Sequence, residues 1–498
     1  VTAIQPHLPI LIVLLPLAAA LVSAFFRRGA GAWALAMGVS ALLPWMAGTM
    51  LWTVVRSGEP LSYALGGWAP PWGIEYRVDV LNAFVLTLVT AVGAVIMPYA
   101  RRSVAREVHE HQQAWFYTMY LLCLTGLLGI AVTGDAFNAF VFLEISSLST
   151  YVLIALGRDR RAVLSSFQYL IMGTIGATFY VIGIGLLYLV TGTLNMADLG
   201  ARLGPAYATY PRPVLTALAF VVVGVCLKLA LFPLHVWLPG AYASAPSVAT
   251  TFLAGTATKV ALYLLVRLLF TVFGIGITFR ALPMTAVLLV LAVAGMVLAS
   301  FSAAMQRDAK RLLAYSSVAQ IGYVTFGIGL ANANGLTGGL VHLANHAVIK
   351  TTLFLALGAV YYRIGSVRLE HLAGIGRVMP WTMATFVVGG LGLIGVPGTA
   401  GFISKWYLAL GAIDAGLWPL AFVLVITSFL AVVYVGRVVE VAYFHEPSGP
   451  ARDATDPPWS MLVSMLAAAG ATIYFGFDTR ATAEVAGMAA RLLLGGRE

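Results

Sequence analysis

The 498-residue sequence predicts an all-α integral membrane protein of about fourteen transmembrane helices, containing two inverted five-helix repeats and two broken helices. Three observations predict it. First, 60% of the residues are hydrophobic and 10% charged, where an ordinary globular domain carries roughly 25% charged residues. Second, apolar runs recur from the first ten residues almost to the last thirty, each near the roughly 20 residues that cross about 30 Å of hydrocarbon. Third, two of these runs carry a Gly/Pro interruption beside a lysine, which bilayer depth tolerates only inside protein or along a wet cavity. Together they exclude a water-soluble enzyme, a disordered chain and a disulfide scaffold. The two cysteines, Cys123 and Cys226, lie inside apolar runs and cannot build a metal or cluster site alone.

In chain order the expected spans are 8 to 26, 31 to 55, 78 to 99, 114 to 133, 137 to 157, 163 to 190 and 213 to 231, then 247 to 271, 283 to 304, 312 to 330, 336 to 362, 381 to 410, 417 to 443 and 459 to 477. The first has the length of a secretory signal. No positive charge precedes it, however, and Arg27 and Arg28 follow it, so it is expected to remain as a span. The chain begins at Val1, and an initiator or short leader is expected before it. An even number of spans puts both ends on one side. The loops of one face, from Arg27 to Arg452, hold fifteen arginines and lysines, including Lys310, and the other face and tail hold eight. The arginine-rich face is therefore expected in the cytoplasm and both termini outside. The formal charge of +10 reads as this orientation signal and not as affinity for nucleic acid.

Spans four to eight and nine to thirteen each hold five crossings. Five is odd, so the second set starts from the opposite face and is inverted. The expected organisation is residues 1–113 as three N-terminal helices, 114–271 as the first repeat, 283–443 as the second, and 444–498 as a loop, span fourteen and a short tail.

An ionisable side chain at bilayer depth costs about 2.5 to 3.5 kcal/mol on insertion scales, so its presence points to function. The chain has twenty-four arginines and five lysines, and Lys228, Lys259, Lys350 and Lys405 fall within expected spans. Burial brings lysine into the titrating range while arginine stays charged, so this partition favours a role in proton transfer over snorkelling helix ends. Among ten glutamates, Glu144 alone lies mid-span, followed by Ser146, Ser147 and Ser149; Glu440 is expected to pair with Arg437 on its own helix. A carboxylate about 4 Å from a lysine gains or loses about 4 kcal/mol as its partner titrates, so such a pair is a switch.

His342, His346 and Lys350 recur every four residues and share one helix face. A hydrated proton path explains that stripe better than a metal site, because an i, i+4 histidine pair lacks a third ligand. The two interruptions are Lys228 before Phe232-Pro233 and Trp237-Leu238-Pro239, and Gly395, Pro397, Gly398 and Gly401 before Lys405. The chain has no phosphate loop, dinucleotide fingerprint or soluble segment long enough for a nucleotide domain. No cofactor is expected, no enzymatic activity is expected of the chain alone, and energy must come from an ion gradient or from partners.

These residues resemble the antiporter-like subunits shared by respiratory complex I, membrane-bound hydrogenases and Mrp-type multisubunit sodium/proton antiporters. The resemblance rests on Phe142-Leu-Glu-Ile-Ser-Ser-Leu-Ser-Thr-Tyr151, Lys228-Leu-Ala-Leu-Phe-Pro-Leu-His-Val-Trp-Leu-Pro239, Ala254-Gly-Thr-Ala-Thr-Lys-Val260, Arg311-Leu-Leu-Ala-Tyr-Ser-Ser-Val-Ala-Gln-Ile-Gly-Tyr323 and Gly395-Val-Pro-Gly-Thr-Ala-Gly-Phe-Ile-Ser-Lys405. It implies that Glu144 and Lys228 form a coupled pair, that Lys259 connects, that Lys405 is the terminal group, and that His342, His346 and Lys350 belong to the axis between the halves. It also implies a bacterial inner-membrane location, other membrane subunits as partners in a hetero-oligomer, and protons with sodium as the candidate transported ions. The short tail after span fourteen points to the D-type branch of the Mrp antiporters. The Glu144 segment keeps the N-type complex I branch as the alternative. An independent solute permease is the third class.

Overall fold

The computed structural model describes residues 5–495. Among the tail arginines counted toward the outer face, Arg497 lies outside these residues. The N-terminal part is α1 (Leu8–Ser23), α2 (Gly29–Ser57), a hairpin of β1 (Leu61–Ala64) and β2 (Glu75–Val78), and α3 (Val80–Glu107). The hairpin pairs Leu61 with Val78 and Ala64 with Glu75. It occupies the connection between the expected spans 31 to 55 and 78 to 99. Asp79 starts α3 through a capping box with Asn82, which satisfies two donors that the first helical turn leaves free.

The first repeat is α4 (Gln113–Val132), α5 (Ala136–Ala155), α6 (Arg160–Thr191), a short surface helix α7 (Met196–Thr209), then α8 (Pro211–Leu229) broken from α9 (Trp237–Ser244), and α10 (Ser247–Gly255) followed by α11 (Ala257–Val266). The second is α12 (Met284–Ala304), α13 (Ala309–Leu330), α14 (Ala333–Ile364), a turn of helix α15 (Ile375–Val378), α16 (Pro380–Ile394) broken from α17 (Ala400–Asp414), and α18 (Trp418–Phe444). The chain closes with α19 (Trp459–Phe477) and α20 (Val485–Leu493). Thirteen helical runs among the described residues are long and apolar enough to cross a membrane. The fourteenth crossing is α16 with α17, each too short alone.

The two repeats carry the same joint. Asp135 caps α5 and bridges to Asn195 beyond α6; Asp308 caps α13 and bridges to Arg368 beyond α14. In both, the backbone N–H after the cap donates at 2.9 Å to a carbonyl of the distant segment, Ala136 to Leu194 and Ala309 to Val367. Both α6 and α14 are 32 residues long and end on a glycine in the left-handed region, Gly192 and Gly365. The aspartates and the glycines are each 173 positions apart (308 − 135 and 365 − 192). A broken helix follows each joint, so the order of parts repeats while the odd number of crossings turns the second copy over.

The breaks have physical causes. At the end of α8, Ala230 is left-handed (φ 59°), a conformation that costs an L-residue about 1–2 kcal/mol, and the freed Leu227 carbonyl accepts from the Trp237 indole at 2.9 Å. At the end of α16, Gly395 and Gly398 are left-handed, and the freed carbonyls of Leu393 and Ile394 accept from Lys405. Span eight holds a third break that the sequence reading missed, at Thr256 (φ −128°, ψ −56°) between α10 and α11. Apart from their end turns, α13 and α14 are enclosed, whereas α6 and α18 turn Phe167, Ile171, Phe422 and Phe429 outward, as helices facing lipid do.

Candidate functional site

α5 and α8 bring the first two site residues together. Glu144 Oε1 lies 3.7 Å from Lys228 Nζ, and Lys228 donates to Ser147 Oγ, one turn along α5, at 2.5 Å. The lysine side chain is 5% exposed and the carboxylate 27%, so the amine is enclosed while the acid reaches the margin of the chain. Lys228 is held there because α8 ends one residue later. A void of about 20 Å³ adjoins it, lined by Ser146, Ser147, Thr150, Lys228, Ala257 and Ala261 among others. By this measure one water needs about 10–15 Å³ and several polar partners, and the void offers both. Its far wall is α11, the helix that carries Lys259.

Gly173 on α6 makes the close approach possible. A Cβ there would collide with Tyr151 Oη and lie 3.4 Å from Lys228 Nζ. Gly173→Ala is therefore expected to displace the phenol into the lysine's surroundings, an overpacking cost of about 1–3 kcal/mol, and to lower transport several-fold. Adding Tyr151→Phe removes the worst contact and should restore part of the rate, measured per assembled protein in vesicles.

Lys259 is fully enclosed and donates to the Ala254 carbonyl and to Thr258 Oγ1 at 3.2 Å. The third break frees that carbonyl at the negative end of α10, which favours a cation. Lys405 repeats the arrangement at the end of α16, donating at 3.2 and 2.7 Å to two carbonyls and at 2.8 Å to Ser428 Oγ, with its amine 4.8 Å from the Tyr323 ring centroid. Neither lysine has a carboxylate within ion-pair distance among the described residues.

On α14, His342 and His346 stack at 6.1 Å, as their spacing predicts. His342 Nε2 is 2.8 Å from Gln320 Oε1 on α13, and Nδ1 is 2.8 Å from Ser404 Oγ on α17. A neutral ring donates to the glutamine oxygen and accepts from the serine. A protonated ring donates at both nitrogens, and Ser404 then turns its hydroxyl to the Gly401 carbonyl 3.0 Å away. The hydroxyl of Ser404, beside Lys405, thus has two positions for its proton. His346 has no hydrogen-bond partner at either nitrogen among the described residues. Lys350 turns away from the histidines into α13, donating to Leu313 O at 2.8 Å and to Ser316 Oγ.

The structure corrects three sequence expectations. Lys310, counted with the loop cations, is buried in the first turn of α13, 3.9 Å from a second buried carboxylate, Glu107. Arginine does enter a span: Arg267 is buried after α11, paired at 2.8 Å with Asp79. The Arg437–Glu440 pair does not form; Arg437 instead donates to the carbonyls of Ala304 and Gln306 at the end of α12, while Glu440 is exposed. Gln320 and Ser404 were missed, although both lie inside the quoted motifs.

Residues 133–431 match the family described as NADH:quinone oxidoreductase/Mrp antiporter, transmembrane. A protein of Desulforudis audaxviator called NADH-quinone oxidoreductase subunit N is 43% identical over 486 residues, covering 92% of this chain and 93% of its own. The D-type Na(+)/H(+) antiporter subunit of Alkalihalophilus pseudofirmus is 29% identical over 413 residues, 83% and 82% of the two chains. Among solved structures, a chain of the Mrp complex from Dietzia superposes with a TM-score of 0.88 at 26% identity, covering 99% of this chain and 98% of that one. A chain of the archaeal membrane-bound sulfane sulfur reductase gives 0.87 at 28%, covering 99% and 97%. With a family match over more than half its length and a 43% identical relative along nearly all of it, this chain belongs to the NADH:quinone oxidoreductase/Mrp antiporter transmembrane family.

Proposed function

We propose that this chain is the proton-translocating subunit of a multisubunit cation/proton antiporter in a bacterial inner membrane, with its arginine-rich loops in the cytoplasm and both termini outside. In this reading residues 114–271 and 283–443 act as two half-units, and Glu144, Lys228, Lys259, His346, His342, Lys350 and Lys405 hold the protons. The carrying observation is the enclosed Lys228 ammonium 3.7 Å from the Glu144 carboxylate at a helix break. At an effective dielectric near 20 that separation is worth about 4 kcal/mol. Neutralising Glu144 therefore changes how tightly Lys228 holds its proton by up to about a thousandfold. The released proton has the void toward α11 before it, and the His342–Ser404 hinge can hand a proton to the surroundings of Lys405. Gradients or chemistry in partner subunits set the direction. The likeness to a named D-type antiporter subunit and to a chain of an Mrp complex supports this reading.

The 43% identity to a protein named NADH-quinone oxidoreductase subunit N favours a second reading, in which the same path is driven by redox chemistry in partner subunits. Purifying the native complex separates the two. The antiporter reading expects sodium-driven collapse of a pH gradient in vesicles and no flavin or iron–sulfur absorbance in the complex; that absorbance with NADH-driven pumping replaces it by the second.

A further inference from the structure

Glu107 and Lys310 form the other buried carboxylate–lysine pair among the described residues, and the path above does not use it. Glu107 is the last residue of α3 and Lys310 the second of α13; both are buried, while their neighbours Arg106 and Arg311 are exposed. The pair thus sits just under the arginine-rich face. Glu107 accepts from Ser103 Oγ at 2.6 Å and from the Ser247 backbone N–H and hydroxyl at 2.8 and 2.9 Å. It caps the start of α10, where Pro246 has no side-chain donor or acceptor to offer. The other end of α10 holds Lys259 through Ala254. The Lys310 amine makes no hydrogen bond among the described residues; it lies 3.9 Å from Glu107 Oε2 and 4.7 Å from the Tyr361 ring centroid.

A purely structural clasp is built differently, and this chain contains one. On the opposite face Arg267 meets Asp79 at 2.8 Å with a further hydrogen bond to Asn82, a short pair whose cation does not titrate. The inner pair uses lysine at longer range, with the carboxylate already satisfied by serines. Lys310 also begins a polar face of α13. The Leu313 carbonyl and the side chains of Ser317 and Gln320 follow at i+3, i+7 and i+10, which lie on one side of a helix. Leu313 and Ser316 hold Lys350, and Gln320 holds His342.

We propose that Glu107 and Lys310 are the proton-uptake site of the arginine-rich face, loading the α13 face that leads to Lys350 and His342. A proton from the inner solution adds to the Glu107 carboxylate. Lys310 then gives its own proton along α13 to the neutral amine of Lys350 and takes the one on Glu107, which restores the ion pair; one proton has entered and resides on Lys350. The other charged or titratable groups facing the pair are Tyr99 and Arg106 of α3, Arg158 and Asp159 before α6, Asp308 at the start of α13 and Tyr361 of α14. His109 and His111, exposed and stacked at 5.9 Å, follow α3.

This assignment rests on the proton-path reading. The test uses the assembled native complex in vesicles with the arginine-rich face outward, so that the medium sets the pH at that face. Glu107→Gln keeps an acceptor for Ser247 but cannot cycle a proton, and Lys310→Arg keeps the charge but cannot titrate. Each is expected to cut proton flux per assembled complex by about tenfold or more and to flatten its dependence on the medium pH. Wild-type flux per complex with an unchanged pH profile in both variants overturns the proposal, including the case where only the amount of complex falls, which is what a clasp predicts. Should the variants fail to assemble, a carbodiimide applied to the wild-type complex reads the same point by mass spectrometry. Glu107 labels, and less so as pH rises, if its carboxyl is protonated during turnover; an unlabelled Glu107 beside a labelled Glu144 overturns the assignment. Full activity of Lys228→Met would instead sink the path itself, whereas an inactive Lys228→Met with a fully active Glu107→Gln sinks only the uptake site.

Discussion

Lys228→Met is expected to abolish proton translocation while leaving the complex assembled. Methionine keeps most of the length of the side chain in a pocket bounded by α5 and α6 and removes the amine that faces Glu144. Positioned proton-transfer groups typically contribute about 10²–10⁴-fold, so flux per complex should fall by at least about a hundredfold. Lys228→Arg should be nearly as damaging although it preserves the charge, because guanidinium does not release its proton. Glu144→Gln alone should be similarly inactive, and adding it to Lys228→Met should cost little more, since the two act as one switch and their effects do not add. Collapse of a pH gradient in vesicles, normalised to the amount of assembled complex, measures all four. A methionine variant that moves protons at the wild-type rate would leave the line of buried groups without a function.

How much of this was legible in the sequence depends on how local each signal is. Spans announce themselves because every residue of a run contributes to its hydrophobicity, and thirteen helical runs with one broken crossing answer the fourteen expected. The breaks beside Lys228 and Lys405 were legible because proline and glycine punctuate them. The break at Thr256 was not, since Gly255 is its sole punctuation and the geometry is set by packing against α14. Lys310 was misplaced, and Glu107 passed over, for a different reason. Each abuts arginines at the end of an apolar run, and a charge count along the chain cannot say which side of a helix terminus faces inward. Gln320 and Ser404 were invisible as site residues because neutral polar side chains are common inside helix bundles. Only the fold brings them, from 22 and 62 positions away, onto the two nitrogens of His342.

Asp79→Ala is expected to destabilise the protein more than any other single change at the face opposite the arginine-rich loops. Asp79 does two things at once. Its Oδ1 accepts from the Asn82 backbone N–H at 3.0 Å as the cap of α3, and its carboxylate meets both terminal nitrogens of Arg267 at 2.8 and 2.9 Å. Losing a cap costs about 1 kcal/mol, but leaving a buried arginine without its partner costs about 3–5 kcal/mol, a large part of the roughly 5–15 kcal/mol that holds an ordinary domain folded. The opposite truncation should be milder. In Arg267→Met the aspartate keeps its place on the α3 N-terminus, where the helix dipole favours it, beside a cavity of about 390 Å³ that both residues line. Replacing a buried ion pair by an apolar side chain of similar volume is often neutral or stabilising, so Asp79→Ala with Arg267→Met together should recover most of the loss. Heat-induced aggregation of the detergent-solubilised complex, or the rate at which a thiol reagent reaches the buried Cys123 and Cys226, ranks the variants. The order matters to transport because Arg267 lies two turns beyond Lys259 on the same helical run. Transport lost in Asp79→Ala should return in the double variant, since what the pair supplies to Lys259 is a fixed C-terminal end for α11, and methionine packed against α3 can supply that without charge. An Asp79→Ala protein as stable as the wild type would mean that packing alone positions α11.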